Sequence, residues 1–289
     1  MILIRYYFLI STQINCTIFL DYTLIRFLTF MKQFLLFFLV LIAFTFGCLP
    51  SSSTAQSTTA PKDSKFYEMR VYYAAPDKLA DLNSRFRNHT LGFFQKHGMT
   101  NIGYWEPINN PENKIIYILA YPSKEARDAS WKAFTADSGW QAVAKASEAN
   151  GKLVTKVETM YLTTTDYSPM VQTGDKGPRV FELRTYTASP NNFQNLHTRF
   201  RDHTVKLFQK HGMTSIGYWR PVDKDAGKEM LVYILAHPSP EAGAAAFKAF
   251  GEDPQWIKAR TASEKKGGGS LTSQKESVYM RATDYSPIK

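Results

Sequence analysis

The chain has 289 residues, 35 lysines and arginines against 25 aspartates and glutamates, a net charge of +10 and a hydrophobic fraction of 44%. Its two cysteines, Cys16 and Cys48, precede everything that reads as folded, which excludes disulfides, thiolate nucleophiles and cysteine metal sites from the folded part. The positive charge is interleaved with acids and never forms a block of five like charges, which argues against a nucleic-acid footprint.

After Met31-Lys32-Gln33, residues 34–46 form an almost wholly apolar run. That is the length of a signal-peptide core and short of the ~20 residues a bilayer span needs. Two processing routes fit: lipidation of Cys48, which follows Gly47 and precedes a Ser/Thr-rich tether, or cleavage after Ala55. Residues 31–55 are therefore a signal and 56–64 a linker. The expected location is the periplasm or cell envelope of a bacterium, with membrane contact only through the signal or a lipid anchor. Residues 1–30 are expected to be an over-extended start, an extra membrane segment being the alternative.

The folded part opens with residues 66–73, which alternate and favour a strand. Residues 76–97 carry Leu79, Leu82, Phe86, Phe93 and Phe94 at helical spacing and stop at Gly98, a favoured residue just past a helix end. Residues 100–107 and 114–121 read as two strands joined by the turn-rich stretch 109–113. Ser123 caps a helical region that runs to about Asn150, interrupted near Asp137-Ser138-Gly139; residues 153–163 form the last strand. The order βαββαβ is that of a ferredoxin-like unit.

This unit occurs twice. Residues 66–107 align onto 180–221 at a constant offset of 114 with 23 identities in 42 positions, including Phe94-Gln95-Lys96-His97-Gly98-Met99-Thr100 against Phe208 through Thr214. The offset grows to 116 at Tyr117/Tyr233 and 118 at Thr165/Thr283, each slip a two-residue insertion that marks a surface loop. Repeat 1 spans residues 65–169, a linker 170–178, and repeat 2 residues 179–288. One such unit covers only one face of its sheet, and the bare face needs a partner. The expected fold is therefore α+β: two tandem ferredoxin-like βαββαβ repeats packed sheet to sheet, an intramolecular counterpart of a dimeric α+β barrel.

The Tyr-Glu-Met-Arg-Val-Tyr opening at 67–72, the Arg-Phe-Arg-Asn-His-Thr stretch at 85–90, His97-Gly98 and the closing Thr-Asp-Tyr-Ser-Pro resemble the NIPSNAP family across both repeats. The resemblance implies the barrel architecture and little chemistry. Dimeric α+β barrels include cofactor-free and haem-handling oxygenases, which is analogy of fold alone.

Candidate site residues come from positions kept in both copies. Strand alternation puts Glu68, Arg70 and Tyr72 on one face and Tyr67, Met69 and Val71 on the other, with Glu182, Arg184 and Tyr186 repeating the charged triplet. If the apolar face takes the helices, the triplets line the barrel interior. There they form either internal ion pairs or a site for a small polar or anionic ligand. Trp105 and Trp219 close the repeated Ile-Gly-Tyr-Trp strand as core residues or pocket walls. His89 and His203 fall near the apolar stripe of the first helix, as half-buried structural residues or proton carriers. His97 and His211 suit a helix C-terminus. No metal motif, phosphate loop or nucleophile elbow is present, so no metal or cofactor is expected and binding is favoured over catalysis. An envelope-tethered interaction or scaffold module is the alternative function, an oxygenase-like enzyme the second. The expected partner is a small molecule, with homo-oligomer formation left open.

Overall fold

A computed structural model describes residues 65–222 and 229–289. The signal, Cys48, the cleavage point after Ala55 and the tether lie outside the described residues. Among those described, no helix is long and apolar enough to cross a membrane.

Repeat 1 runs β1 (Phe66–Ala74), α1 (Leu79–Arg85), a π-helical segment (Phe86–Thr90), α2 (Leu91–Lys96), β2 (Thr100–Pro107), β3 (Lys114–Tyr121), α3 (Lys124–Ala136), α4 (Ser138–Ser147) and β4 (Val154–Thr164). Repeat 2 runs β5 (Val180–Ala188), α5 (Phe193–Arg199), a second π-helical segment (Phe200–Thr204), α6 (Val205–Lys210), β6 (Thr214–Pro221), β7 (Met230–His237), α7 (Pro240–Glu252), α8 (Pro254–Gly267) and β8 (Thr272–Ala282). Local chemistry sets these bounds. Ser123 and Ser239 accept from the backbone N–H three residues on, at 3.2 and 3.1 Å, and start α3 and α7. Gly98 and Gly212 take φ of +76° and +74° after α2 and α6, and Met99 N–H returns to Phe94 O at 2.9 Å. The second helical region is split because Asp137 is extended and its carboxylate caps α4 through Gly139 N and Trp140 N. Lys96 and His97 also donate to Asp137, at 2.6 and 2.8 Å, and hold that carboxyl well below its usual range. His211 meets Asp253 in the same way at 2.8 Å, so both helix-end histidines have a structural partner.

The eight strands close into one antiparallel barrel in the order β1-β3-β2-β8-β5-β7-β6-β4. Each repeat contributes a four-stranded sheet, and two short seams join them: Trp105–Pro107 on Ala282–Met280, and Leu162–Thr164 on Pro221–Trp219. The twice-present Thr-Asp-Tyr-Ser-Pro motif prolongs both seams. Thr165 N donates to Tyr218 O at 2.9 Å and Tyr218 N to Ser168 Oγ at 3.0 Å; Thr283 N donates to Tyr104 O at 3.0 Å and Tyr104 N to Ser286 Oγ at 2.9 Å. The motif's aspartates then cross to the other repeat. Asp284 takes two bonds from Arg87, both 2.6 Å, and Asp166 takes two from Arg201, at 2.6 and 2.8 Å.

Both arginines sit in the π-helical segments. There the wider turn is stabilised by Thr90 and Thr204, whose hydroxyls donate five residues back at 3.1 Å. The wider turn corrects the expectation for His89 and His203. It carries Arg87, Asn88 and His89, and equally Arg201, Asp202 and His203, out to solvent, so both histidines are exposed and not half-buried.

Of the two kinds of seam contact, the neutral serine bond is expected to matter more. Ser286 is buried, and Ser286→Ala leaves the Tyr104 N–H without an acceptor, at a cost of about 1–3 kcal/mol. The Arg87–Asp284 pair is solvated on both sides, where ion pairs contribute little. Urea denaturation checks the ranking; a greater loss for Arg87→Ala than for Ser286→Ala would reverse it.

The core divides into three clusters. One contains strand residues from both repeats, among them Tyr67, Met69, Trp105, Phe181, Leu183 and Trp219, with no helix residue; this is the barrel lumen. The other two each join one repeat's helices to the outer face of its own sheet, around Phe86, Phe94, Tyr104 and Tyr117, and around Phe200, Phe208, Tyr218 and Tyr233. The assignment of strand faces is therefore corrected. Tyr67, Met69 and Val71 face the lumen, and the triplets Glu68-Arg70-Tyr72 and Glu182-Arg184-Tyr186 lie beneath the helices. The lumen is filled by apolar side chains, whereas the outer face brings each buried carboxylate its donors, from α3 and the strands in repeat 1 and from the strands alone in repeat 2.

Candidate functional site

Strand register builds the site on the outer face of each sheet. Arg70 stands directly opposite Tyr117 on β3 and Thr159 on β4, while Glu68 stands opposite Leu119 and Tyr161. In repeat 2, Arg184 is opposite Tyr233 and Ser277, and Glu182 opposite Leu235 and Tyr279. α3 and α7 cover these rows.

In repeat 1, Glu68 is fully buried and saturated with donors. Arg127 reaches it through Nε at 3.0 Å and Nη2 at 2.8 Å, Arg70 at 2.7 Å, Trp131 Nε1 at 2.8 Å and the Tyr121 hydroxyl at 3.0 Å. Burial alone would push this carboxyl up, but the Arg127 bond and the charges of Arg70 and Arg127 outweigh it and hold Glu68 below its usual range. Arg70 also lies 4.4 Å over the Trp131 ring and 5.5 Å over Tyr72. Arg127 extends outward to Asp128 at 3.0 Å.

Repeat 2 keeps the frame and changes the partners. Where repeat 1 has Tyr121, Arg127 and Trp131, repeat 2 has His237, Gly243 and Phe247. Glu182 takes bonds from Arg184, Ser277 Oγ at 2.5 Å and His237 Nε2 at 3.0 Å. No second arginine fits. A Cβ on Gly243 would lie 2.6 Å from the Tyr279 hydroxyl and 3.1 Å from the His237 ring. Arg184 lies 4.2 Å over Phe247 and donates to the Tyr186 hydroxyl at 3.0 Å.

Both networks leave the same donor unused. Arg70 Nε and Arg184 Nε are buried with no hydrogen-bond partner in the protein, whereas the buried Tyr117 and Tyr233 phenols interact with the Tyr72 and Tyr186 hydroxyls. Burial, joined by the neighbouring tyrosines, keeps the Tyr117 and Tyr233 phenols protonated. Each site therefore presents an unused guanidinium N–H among the aromatic rings of Tyr72, Phe94 and Trp131 or of Tyr186, Phe208 and Phe247. The arrangement accepts an oxygen bearing lone pairs, such as a carboxylate. It offers no nucleophile, and among the described residues no group of acids, histidines or cysteines could hold a metal.

The remaining candidates are placed elsewhere. Trp105 and Trp219 are fully buried in the lumen, near Phe181 at 5.7 Å and Tyr67 at 5.8 Å, and each lies across a glycine of its own strand. His89 and His203 are exposed on the π-helical segments, apart from both arginine sites. Open grooves of about 480, 860 and 440 Å³ run along the inter-repeat seams, not over Arg70 or Arg184. Sequence reasoning missed Tyr121, Arg127, Trp131 and His237. The signal was available as the positions where the repeats disagree, since Tyr121/His237 and Arg127/Gly243 break an otherwise conservative alignment.

Comparison with known proteins agrees with this architecture. A candidate monooxygenase from Lactobacillus acidophilus NCFM superposes with a TM-score of 0.50 at 11% identity, over 76% of this chain and 94% of its own; at that identity the likeness shows the fold alone. A NIPSNAP domain protein from Burkholderia xenovorans is 21% identical over 36% of this chain and 98% of its own, with a TM-score of 0.32. A NIPSNAP family protein from Agrobacterium tumefaciens C58 is 23% identical over 37% and 98%, with a TM-score of 0.34. No curated protein matches. The NIPSNAP family model matches residues 67–169 and again 181–287, most of the chain. With two such domains in tandem closing one barrel, this chain belongs to the NIPSNAP family.

Proposed function

We propose that this chain is a small-molecule binding protein with two sites, one beneath the helices of each repeat, each holding an anionic oxygen of an aromatic or otherwise apolar ligand. The observation that carries this is the unused donor present in both repeats, Arg70 Nε and Arg184 Nε, each beside a buried phenol. A buried donor without an acceptor costs about 1–3 kcal/mol, and a bound carboxylate offsets that cost in each repeat. Charge supports an anion in repeat 1: Arg70, Arg127 and Lys124 against Glu68 and Asp128 leave a net charge of +1 (3 − 2). The side chains of Arg70 and Arg184 are 14% and 16% exposed, so part of each reaches solvent while its Nε stays buried. The lumen is not the binding site in this proposal, because apolar strand residues fill it.

Thermal unfolding with millimolar benzoate, acetate or phosphate tests this. Benzoate is expected to raise the melting temperature of the wild type, and the rise is expected to vanish in Arg70→Met/Arg184→Met and to shrink in Tyr117→Phe/Tyr233→Phe. The tyrosine pair keeps its ring packing, so it remains informative if the arginine variant is unstable. An equal rise in all three proteins, or none in the wild type, would end this assignment.

A further inference from the structure

The duplication makes the two seams of the barrel counterparts of each other. Position 106 on β2 corresponds to 220 on β6, and position 163 on β4 corresponds to 281 on β8. The register sets Glu106 directly opposite Arg281 in one seam and Thr163 directly opposite Arg220 in the other. Glu106 and Arg281 also line one open groove of about 440 Å³. Two copies of the chain have a second way to cover their sheets: repeat 1 of one on repeat 1 of the other, and repeat 2 on repeat 2.

We propose that the residues at these four positions choose the pairing, so that the chain closes repeat 1 on repeat 2 and rejects a barrel of like halves with a second copy. The equivalence of the seams fixes what each pairing brings together. Repeat 1 on itself sets Glu106 against Thr163 in both seams. Repeat 2 on itself sets Arg220 against Arg281 in both seams. Opposite charges facing each other across a strand pair stabilise it, and like charges destabilise it. The observed barrel therefore has one attraction and no repulsion at these positions, whereas a barrel of two repeats 2 has two repulsions. Two whole chains that pair like with like form both like barrels together, so those repulsions oppose the entire exchange.

The remaining seam contacts survive any pairing. Arg87 holds Asp284 and Arg201 holds Asp166, and each arginine would find the same aspartate in the other copy of the motif. The seam serines, Ser168 and Ser286, are equally interchangeable. In the lumen Tyr67 meets Trp219 and Phe181 meets Trp105, so every combination puts a ring against an indole. Beside Glu106 the difference recurs. Asn83 accepts from the Tyr285 hydroxyl and donates to Glu106, both at 2.6 Å. Its counterpart His197 meets the Tyr167 hydroxyl at 2.7 Å, and burial, then the charges of Arg201 and Arg220, push that imidazole down to about 4. A barrel of two repeats 2 would bring Arg281 to this seam as a further cation.

Refolding of the full chain tests the assignment. The protein is unfolded in urea and refolded at high concentration, and a protease site inserted in the exposed linker 172–178 is then cut. Native mass spectrometry reads which repeats share each barrel. The linker favours self-closure in every variant alike, so differences between variants report the charges. The wild type and Arg281→Lys are expected to give mixed barrels only. Arg281→Glu sets two acids opposite each other in the mixed barrel and an ion pair in both seams of the repeat 2 barrel. Its like-with-like fraction is expected to rise at least about tenfold, because four cross-strand pairs per two chains change sign together. Arg220→Glu leaves Glu106 opposite Arg281 and removes only the repulsion, so it is expected to give a smaller rise and serves if Arg281→Glu does not fold. Like-with-like barrels in the wild type, or mixed barrels alone in both glutamate variants, would overturn the proposal.

Discussion

Alanine at Gly103 is expected to destabilise the fold by about 3 kcal/mol, the upper end for overpacking, although it adds a single methyl group. Gly103 and Trp105 lie on the same side of β2, and the indole folds back along its own strand. A Cβ at Gly103 would stand 2.2 Å from Cη2 and 2.4 Å from Cζ2 of that ring. Repeat 2 has the same arrangement, with 2.4 and 2.5 Å at Gly217 and Trp219. The ring cannot move aside, because Trp105 is fully buried against Phe181 of the other repeat. Interiors packed to near-crystalline density transmit such a clash to the backbone. The test is a double-mutant cycle by urea denaturation. Trp105→Leu removes the ring, and in that background Gly103→Ala is expected to be neutral or to stabilise by up to about 1 kcal/mol, because glycine inside a strand is itself unfavourable relative to alanine. If the alanine is equally costly with and without Trp105, the glycine serves backbone conformation and not the indole.

Duplication made the fold legible in the sequence. A constant offset across 42 positions announces two copies of one unit, and a ferredoxin-like sheet with one bare face requires the second copy to cover it. The strands and helix caps followed from alternation, Ser123, Ser239 and the two helix-ending glycines. Which way β1 faces was not legible. Alternation separates two faces but names neither, and here both faces are buried, one in the lumen and one under α3. The charged face follows the donors, and those donors, Arg127 and Trp131, are on a helix more than fifty residues away in sequence. The π-helical turns were also hidden. Arg85 through Thr90 fits a helical stripe, and only the wider turn sends Arg87 and His89 outward. The seam role of Thr-Asp-Tyr-Ser-Pro depends on contacts between repeats, which a motif kept in both copies suggests but does not locate. His237 was overlooked because attention to residues kept twice passes over those that differ.

The second large effect concerns Arg127, whose replacement by methionine is expected to cost about 3–5 kcal/mol at neutral pH. Methionine keeps much of the apolar stem and loses the guanidinium, whose central carbon lies 5.0 Å over the Tyr161 ring, so the loss is chiefly electrostatic. Glu68 would remain fully buried with Arg70, Trp131 and Tyr121 as partners, losing two of its five donor bonds and half of its compensating charge. The pH dependence identifies the cause. In the wild type the folded Glu68 carboxyl is held low, so its contribution to stability is present above the unfolded carboxylate pKa of about 4.3 and is lost as pH falls through the folded value. Without Arg127 the effect of burial prevails, the folded carboxyl rises above the unfolded value, and protonation relieves the stranded charge. The deficit of Arg127→Met relative to the wild type should therefore be greatest at pH 7 and shrink towards pH 4. Chemical denaturation of both proteins at the two pH values measures it. A deficit unchanged between them would assign the loss to packing against Tyr161, and Glu68 would then need no second arginine.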